Sequence, residues 1–201
     1  MKLTVIIPVY NQEELVIKAL NSIPKRDDIE IIVIDDKSTD NTWESLMKYR
    51  NNHPDMLNLV LLYNDENKGV GYTVNKGYDY ARGKYVVLLG SDDYFYTEEF
   101  NKCLEELDGT DLVYFNLKDN EGNIWEVNNK SKNIYVGSVK FMRKAFIGNI
   151  RCPEIRAEED LYFYKKLIEK KPTEKFTNIV VKHYNYPREN SLTDLKQKGV
   201  I

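Results

Sequence analysis

The chain has 201 residues, of which 42% are hydrophobic and 30% charged, and its 29 basic and 32 acidic side chains give a formal net charge of -3. This composition is that of an ordinary globular protein, and it excludes a collagen-like chain, a largely disordered chain and a strongly basic nucleic-acid-binding protein. The longest apolar runs, at 57–63 and 85–89, are far shorter than the roughly 20 residues that span a bilayer, so we expect no transmembrane segment.

The first residues and the cysteines bear on the cellular compartment. The N-terminal apolar run is short and lacks a small-residue cleavage site before Glu13, so we interpret it as a strand rather than a signal peptide. Two cysteines, Cys103 and Cys152, and two histidines are too scattered for a zinc site or a disulfide framework. A cytoplasmic location is expected.

The first half of the sequence alternates short β-branched runs with longer helical patterns. The predicted elements, in chain order, are strand 3–8, helix 13–23, strand 29–34, helix 42–49, strand 57–63, helix 70–81 and strand 84–89. Asn41, three residues before Glu44, predicts a capping box at the second helix. Near-continuous apolar strands separated by helices are typical of an α/β fold with a mostly parallel sheet covered on both faces.

The regular alternation of predicted strands and helices ends after residue 89. The pattern predicts a helix over 97–107, a hairpin of strands 112–117 and 124–127, helices over 139–146 and 158–169, and a strand over 178–184. We expect a single domain made of two halves, 1–100 and 101–185, followed by the polar residues 186–201 as a mobile tail.

Polar and acidic residues follow the predicted strands of the first half. The segments are 8–11, 35–40, 67–69 and 90–93. In open α/β sheets, ligands bind beyond the carboxyl ends of the strands. The sequence therefore predicts a binding site at this edge of the sheet.

These segments resemble family 2 glycosyltransferases in order and spacing. The matching stretches are Ile6-Ile7-Pro8-Val9-Tyr10-Asn11, Ile34-Asp35-Asp36-Lys37-Ser38-Thr39-Asp40, Asn67-Lys68-Gly69 with Asn75-Lys76-Gly77, Gly83-Lys84-Tyr85 into Ser91-Asp92-Asp93, and Glu159-Asp160-Leu161-Tyr162-Phe163. The resemblance implies a GT-A fold and metal-dependent, inverting transfer of a sugar from a nucleotide sugar, expected to be a UDP-sugar, to a hydroxyl acceptor. It implies nucleotide binding by Pro8, Tyr10, Asn11, Asp36, Asn67, Gly69, Asn75, Ser91 and Asp92. On this interpretation the half 1–100 binds the nucleotide sugar, the half 101–185 forms the acceptor side, and the tail 186–201 can act as a lid.

Two residues of the first motifs have open alternatives. Asp36, at the end of a buried strand, can accept hydrogen bonds from a base or a ribose, and the resemblance implies uracil recognition. Alternatively, Asp35 or Asp36 caps the following turn. Tyr10 either stacks on the base or packs against the protein.

Asp92 and Asp93 provide two carboxylates at a strand end, where hard oxygen ligands can hold Mn²⁺ or Mg²⁺ against a diphosphate. The resemblance implies this metal role, although Gly90 stands where many relatives have a further Asp, so either carboxylate remains a candidate for the direct ligand. The alternative is a turn or a helix cap. His183 is a third candidate ligand, with a structural histidine as the alternative.

Asp160 is the candidate general base. Glu159 and Asp160 begin an amphipathic helical pattern, and a helix N-terminus stabilises a carboxylate anion. The resemblance implies that Asp160 removes the acceptor proton. Simple capping of the helix by its acidic residues is the alternative.

Arg188 is the last candidate. Many relatives have Arg immediately before the asparagine of the third motif, whereas this chain has Val74 before Asn75. We expect Arg188, following Pro187, to supply the missing charge to the donor phosphate. An exposed arginine in a floppy terminus is the alternative.

Two other functions remain as alternatives. The first is a non-catalytic nucleotide- or glycan-binding module, suggested by Gly90 and Val74. The second is a sugar nucleotidyltransferase, although the first strand is not followed by a glycine-rich phosphate loop bearing arginine and lysine.

Overall fold

The computed structural model describes residues 1–131, 134, 136–155, 158–189, 194–195 and 198–199. Its elements are β1 (Leu3–Val9), α1 (Glu13–Asn21), β2 (Ile29–Asp35), α2 (Thr42–Asn52), β3 (Leu59–Tyr63), α3 (Val70–Tyr80), β4 (Tyr85–Leu88), β5 (Tyr94–Phe95), α4 (Thr97–Leu104), β6 (Leu112–Lys118), β7 (Ile124–Trp125), β8 (Lys140–Arg143), α5 (Lys144–Ile147), α6 (Glu159–Glu169) and β9 (Glu174–His183). The repeated strand–helix order of the first half agrees with the sequence pattern.

One sheet joins the strands in the order β3-β2-β1-β4-β8-β6-β9-β5, and β7 pairs with β6. β1 runs parallel to both β2 and β4, and β2 runs parallel to β3. The carboxyl ends of these strands therefore meet at one edge, as expected. β8 runs antiparallel to both β4 and β6 and connects the parallel part to the second half of the chain. The predicted α/β class is confirmed.

The core lies on both faces of the parallel strands. Every residue of β2 is buried, and so is every residue of β1 except Pro8. Helix α3 lies close against β1, because Gly77 has no side chain: a Cβ atom there would lie 2.4 Å from Cγ2 of Ile6. This contact places the N-terminus of α3 over the strand ends.

Two local predictions were wrong. Residues 139–146 were predicted as a helix, but they form β8 followed by the short helix α5. Apolar residues at 139, 141, 142 and 146 suit either period, and pairing with strands on both sides favours the strand. Helix α2 begins at Thr42, yet Asn41 makes no capping bond; its side chain donates to Glu13 instead, and Asp40 accepts from the Thr42 amide at 3.0 Å.

Both cysteines are buried and free of disulfide bonds. Within the described ranges, no helix combines the length and the apolar character needed to cross a membrane. The cytoplasmic location stays a prediction.

Lys140 on β8 is a buried lysine. Its Nζ donates to the carbonyl oxygens of Ile134 at 2.8 Å and Val136 at 2.7 Å, and lies 3.8 Å from the centre of the Tyr164 ring. Burial lowers the pKa of Lys140 to about 7, although Asp160 and Glu174 oppose this shift. The amine therefore anchors the segment before β8 largely as a hydrogen-bond donor.

We expect the free energy of unfolding to rise with pH above about 7 because of Lys140. The unfolded chain keeps this lysine protonated up to the ordinary pKa of 10.5, whereas the folded protein releases the proton at about 7. The unfolded state then binds more protons, so stability increases with pH. Urea unfolding at pH 7, 8 and 9 gives the free energy of unfolding at each pH. Its increase with pH should be steeper in the wild type than in Lys140→Met by about 1 kcal/mol per pH unit. Equal slopes in the two proteins would contradict this assignment.

Candidate active site

A cavity of about 650 Å³ opens at the carboxyl ends of β1, β2 and β4. We call it the donor cleft. Nine of the residues predicted to bind a nucleotide line it: Pro8, Tyr10, Asn11, Asp36, Asn67, Gly69, Ser91, Asp92 and Arg188. A second cavity, of about 460 Å³, lies at the opposite edge beside the first residues of β2 and β3, and no predicted site residue lines it.

Asp36 organises the loop before α3. Its Oδ1 accepts the Lys68 amide at 2.9 Å and the Asn64 side chain at 2.8 Å, and its Oδ2 accepts the Gly69 amide at 2.8 Å. A carboxylate offers about four acceptor positions, so these three bonds leave room for one donor from a ligand. The turn-capping alternative is observed at Asp35, whose Oδ1 accepts the Ser38 amide at 3.1 Å.

Tyr10 and Asn11 behave differently, although they are neighbours on the wall. The Tyr10 side chain is 43% exposed, so its ring is accessible for stacking. The Asn11 amide donates to Oγ of Ser38 at 2.9 Å, and Asn11 Oδ1 accepts the Thr39 amide at 2.7 Å. Asn11 therefore ties the β1 loop to the β2 loop.

Asp92 faces the cleft and pairs with Arg188. Its Oδ2 accepts from Nε at 3.1 Å and from a terminal guanidinium nitrogen at 2.9 Å. Burial and the adjacent Asp93 raise the pKa of Asp92, and Arg188 opposes this shift. A cation beside Asp92 is therefore favourable.

Asp93 is held inside the protein. Its Oδ2 accepts from Nζ of Lys182 at 2.6 Å, and its Oδ1 accepts the Asn185 amide at 2.9 Å. It does not line the cleft. A Cβ atom at Gly90 would lie 3.0 Å from both an Asp92 and an Asp93 oxygen, so the two carboxylates fill the space that a larger residue at 90 would need.

His183 has partners at both ring nitrogens. Nε2 lies 2.8 Å from Oδ1 of Asn120, Nδ1 lies 3.3 Å from the Tyr96 hydroxyl, and the ring stacks on Tyr94. Burial and nearby Lys18 lower its pKa. A metal role for His183 would require one of these hydrogen bonds to break.

A divalent cation fits at Asp92 if the donor supplies most of its ligands. Among the described residues, no three Asp, Glu, His or Cys side chains form a metal-binding group. Asp92 nevertheless places one hard oxygen ligand on the cleft wall, and Mg²⁺ is commonly bound through one or two carboxylates together with substrate phosphates.

Asp160 and Asn75 lie outside the cleft wall. Asp160 is in the first turn of α6, where its Oδ2 accepts the Gly137 amide at 3.0 Å and its Oδ1 accepts the Leu161 amide at 2.8 Å. The Asn75 side chain bonds to both the backbone carbonyl and the amide of Cys152, at 2.9 and 2.8 Å. Asn75 therefore joins α3 to the segment before α6.

Eight residues of the cleft wall had no predicted binding role, and neither had Lys182, which supports the cleft through Asp93. The eight are Val9, Gln12, Val70, Thr73, Gly90, Tyr184, Asn185 and Leu195. Lys182 carried a signal, as a lone charge after the apolar residues Ile179, Val180 and Val181. Tyr184 and Asn185 carried another, because they begin the segment up to 191 that resembles the C-terminal segment closing over the nucleotide in some family 2 glycosyltransferases. The lid predicted over 186–201 includes 190–193, 196–197 and 200–201, which lie outside the described residues.

Comparison with known proteins identifies the family. Residues 4–185 match Glycosyl transferase family 2. The chain is 34% identical over 129 residues to the poly(ribitol-phosphate) beta-N-acetylglucosaminyltransferase TarS of Staphylococcus aureus, covering 61% of this chain and 22% of TarS. It is 36% identical over 103 residues to a poly(ribitol-phosphate) beta-glucosyltransferase of Bacillus spizizenii, covering 49% of this chain and 16% of that protein.

A solved structure gives the same result. Residues 1–349 of S. aureus TarS in complex with UDP-GlcNAc superpose with a TM-score of 0.82 and 27% identity, covering 96% of this chain and 61% of that one. The chain thus spans less than two thirds of these relatives. The agreement confirms both the resemblance noted in the motifs and the GT-A fold: the chain belongs to glycosyl transferase family 2.

Proposed function

We propose that this protein transfers a sugar from a UDP-sugar to a hydroxyl group of an acceptor, with inversion and with the help of a divalent cation. The observation that carries the proposal is the donor cleft, where Tyr10, Asp36, Asp92 and Arg188 converge at the carboxyl ends of parallel strands. The TarS structure solved with UDP-GlcNAc supports a uridine nucleotide.

Each donor group has a partner in the cleft. The exposed Tyr10 ring stacks on the base, and Asp36 uses its remaining acceptor position for the base or the ribose. Arg188 turns from Asp92 to the diphosphate, because guanidinium groups bind phosphate through paired hydrogen bonds. A Mn²⁺ or Mg²⁺ ion bound by Asp92 would supply charge stabilisation for the departing nucleoside diphosphate.

Asp160 acts on the acceptor. The acceptor oxygen bonds to the anomeric carbon from the face opposite the diphosphate, whose bond to that carbon breaks with the electron pair leaving on UDP. The acceptor proton moves to Asp160. Amides of Gly137 and Leu161 orient this carboxylate. In this proposal the acceptor hydroxyl binds beside Asp160.

UDP with Mn²⁺ should raise the melting temperature more than UDP with a chelator, because Asp92 and a diphosphate repel each other without a cation between them. At a ligand concentration about 100-fold above Kd, the expected rise is about 5–10 °C. Differential scanning fluorimetry measures both shifts. Asp92→Asn should lose the metal-dependent part.

Asp55→Asn is the matched control, because Asp55 is also a carboxylate paired with a cation but lies beside the second cavity. It should retain the full shift. Equal melting-temperature shifts with and without Mn²⁺ would contradict the proposed role of the cation. No melting-temperature shift with UDP would contradict a uridine nucleotide as the donor. Release of UDP from UDP-GlcNAc or UDP-glucose separates an enzyme from a non-catalytic binding module.

A further inference from the structure

Two carboxylates that are far apart in sequence, Asp93 and Asp160, are connected to consecutive residues of one turn, Asp160 directly and Asp93 through a lysine. Asp160 accepts the amide of Gly137, and Asp93 is linked to Ser138 through Lys182. Val136, Gly137 and Ser138, which we call the bridge turn, precede β8. The donor side and the acceptor side of the site therefore meet at adjacent residues.

The link to Asp93 is short and buried. Nζ of Lys182 donates to Oδ2 of Asp93 and to Oγ of Ser138, each at 2.6 Å, and the Lys182 side chain is fully buried. A buried ammonium group without partners is strongly unfavourable. Ser138 therefore accepts a second hydrogen bond from the Lys182 amine, in addition to the one that Asp93 accepts. These two bonds fix the position of the turn relative to Asp93.

The link to Asp160 depends on a close approach. A Cβ atom at Gly137 would lie 3.0 Å from Cβ of Asp160, so only glycine lets the turn approach the start of α6 this closely without displacing the carboxylate. Lys140 binds the carbonyl oxygen of Val136, which anchors the same turn from β8.

We infer that Ser138, Gly137 and Lys182 are positioning residues, which set the Asp160 carboxylate relative to Asp93 and thereby to the adjacent Asp92 on the cleft wall. This inference rests on the proposed function, because it concerns the base of that reaction. The turn holds one oxygen of Asp160 through the Gly137 amide. Ser138 directly follows Gly137 in the chain, so a displacement of the Ser138 backbone also displaces the Gly137 amide.

Ser138→Ala tests the coupling without any turnover. Removal of the hydroxyl should loosen the turn, so that the Gly137 amide exchanges with solvent at least about 10-fold faster in NMR hydrogen exchange. Ser138→Thr restores the hydroxyl and should restore protection. Ser45→Ala on α2 is the matched control, because it also removes a serine hydroxyl that binds a partner, here Glu13 at 3.2 Å. Unchanged exchange at Gly137 in Ser138→Ala would overturn the inference.

Gly137→Ala tests the effect on the reaction. Turnover of UDP-GlcNAc with Mn²⁺ should fall at least about 10-fold in kcat with little change in KM for the donor, because the added methyl displaces only the base. In the Asp160→Asn background, the same substitution should cause no further loss. A comparable loss in that background would overturn the inference. Absence of wild-type turnover with both UDP-GlcNAc and UDP-glucose would contradict the proposed function and leave the exchange result to decide the coupling.

Discussion

Asp160→Asn should lower the rate of sugar transfer at least about 100-fold while changing UDP affinity by less than about two-fold. General base catalysis contributes about 10²–10⁴ to such reactions, and an amide cannot accept the acceptor proton. Asp160 does not line the donor cleft, so UDP binding should not depend on it. Release of UDP from UDP-GlcNAc and isothermal titration with UDP and Mn²⁺ measure the two quantities.

Glu159→Gln is the control for the helix-capping alternative. Both acids lie in the first turn of α6, so a purely capping role predicts similar, small losses of stability and of turnover for both variants. A catalytic role predicts that only Asp160→Asn loses turnover. If UDP affinity fell as far as turnover in Asp160→Asn, the residue would belong to binding or to structure instead.

The parallel half of the fold was predictable because its signals are local. β1 and β2 end within one residue of their predicted limits, since each is a near-continuous apolar run that only a sheet covered on both faces can bury. Residues 139–146 lacked such a signal. Their apolar spacing suits a helix or a strand, and the choice depends on β4 and β6, which lie elsewhere in the chain.

The donor cleft was predictable in its residues but not in its pairings. The motifs at the strand ends predicted eight residues of the cleft wall, because the carboxyl ends of parallel strands converge at one edge of the sheet. The sequence could not distinguish Asp92, which faces the cleft, from Asp93, which faces Lys182. That difference depends on contacts with residues about 90 positions away, at Arg188 and Lys182.

Arg188→Ala should weaken UDP binding about 10- to 100-fold, because charge-assisted hydrogen bonds contribute about 1.5–3 kcal/mol each. In the present structure Arg188 binds Asp92, so it stands at the position where diphosphate and cation would enter. The two possible roles of Arg188 predict opposite changes in UDP affinity. If Arg188 only blocks Asp92, its removal should tighten binding of UDP with Mn²⁺; if it binds the diphosphate, its removal should weaken it.

Uridine separates these effects from a change in fold, because it lacks the diphosphate. Titrations should show weaker UDP binding in Arg188→Ala and unchanged uridine binding. Arg151→Ala is the matched control, since Arg151 is also paired with an aspartate, Asp79, but does not line the cleft. Arg188→Lys should fall between wild type and Arg188→Ala, because lysine keeps the charge but loses the two-nitrogen geometry. Equal losses for UDP and uridine would show that Arg188 supports the shape of the cleft rather than the phosphates.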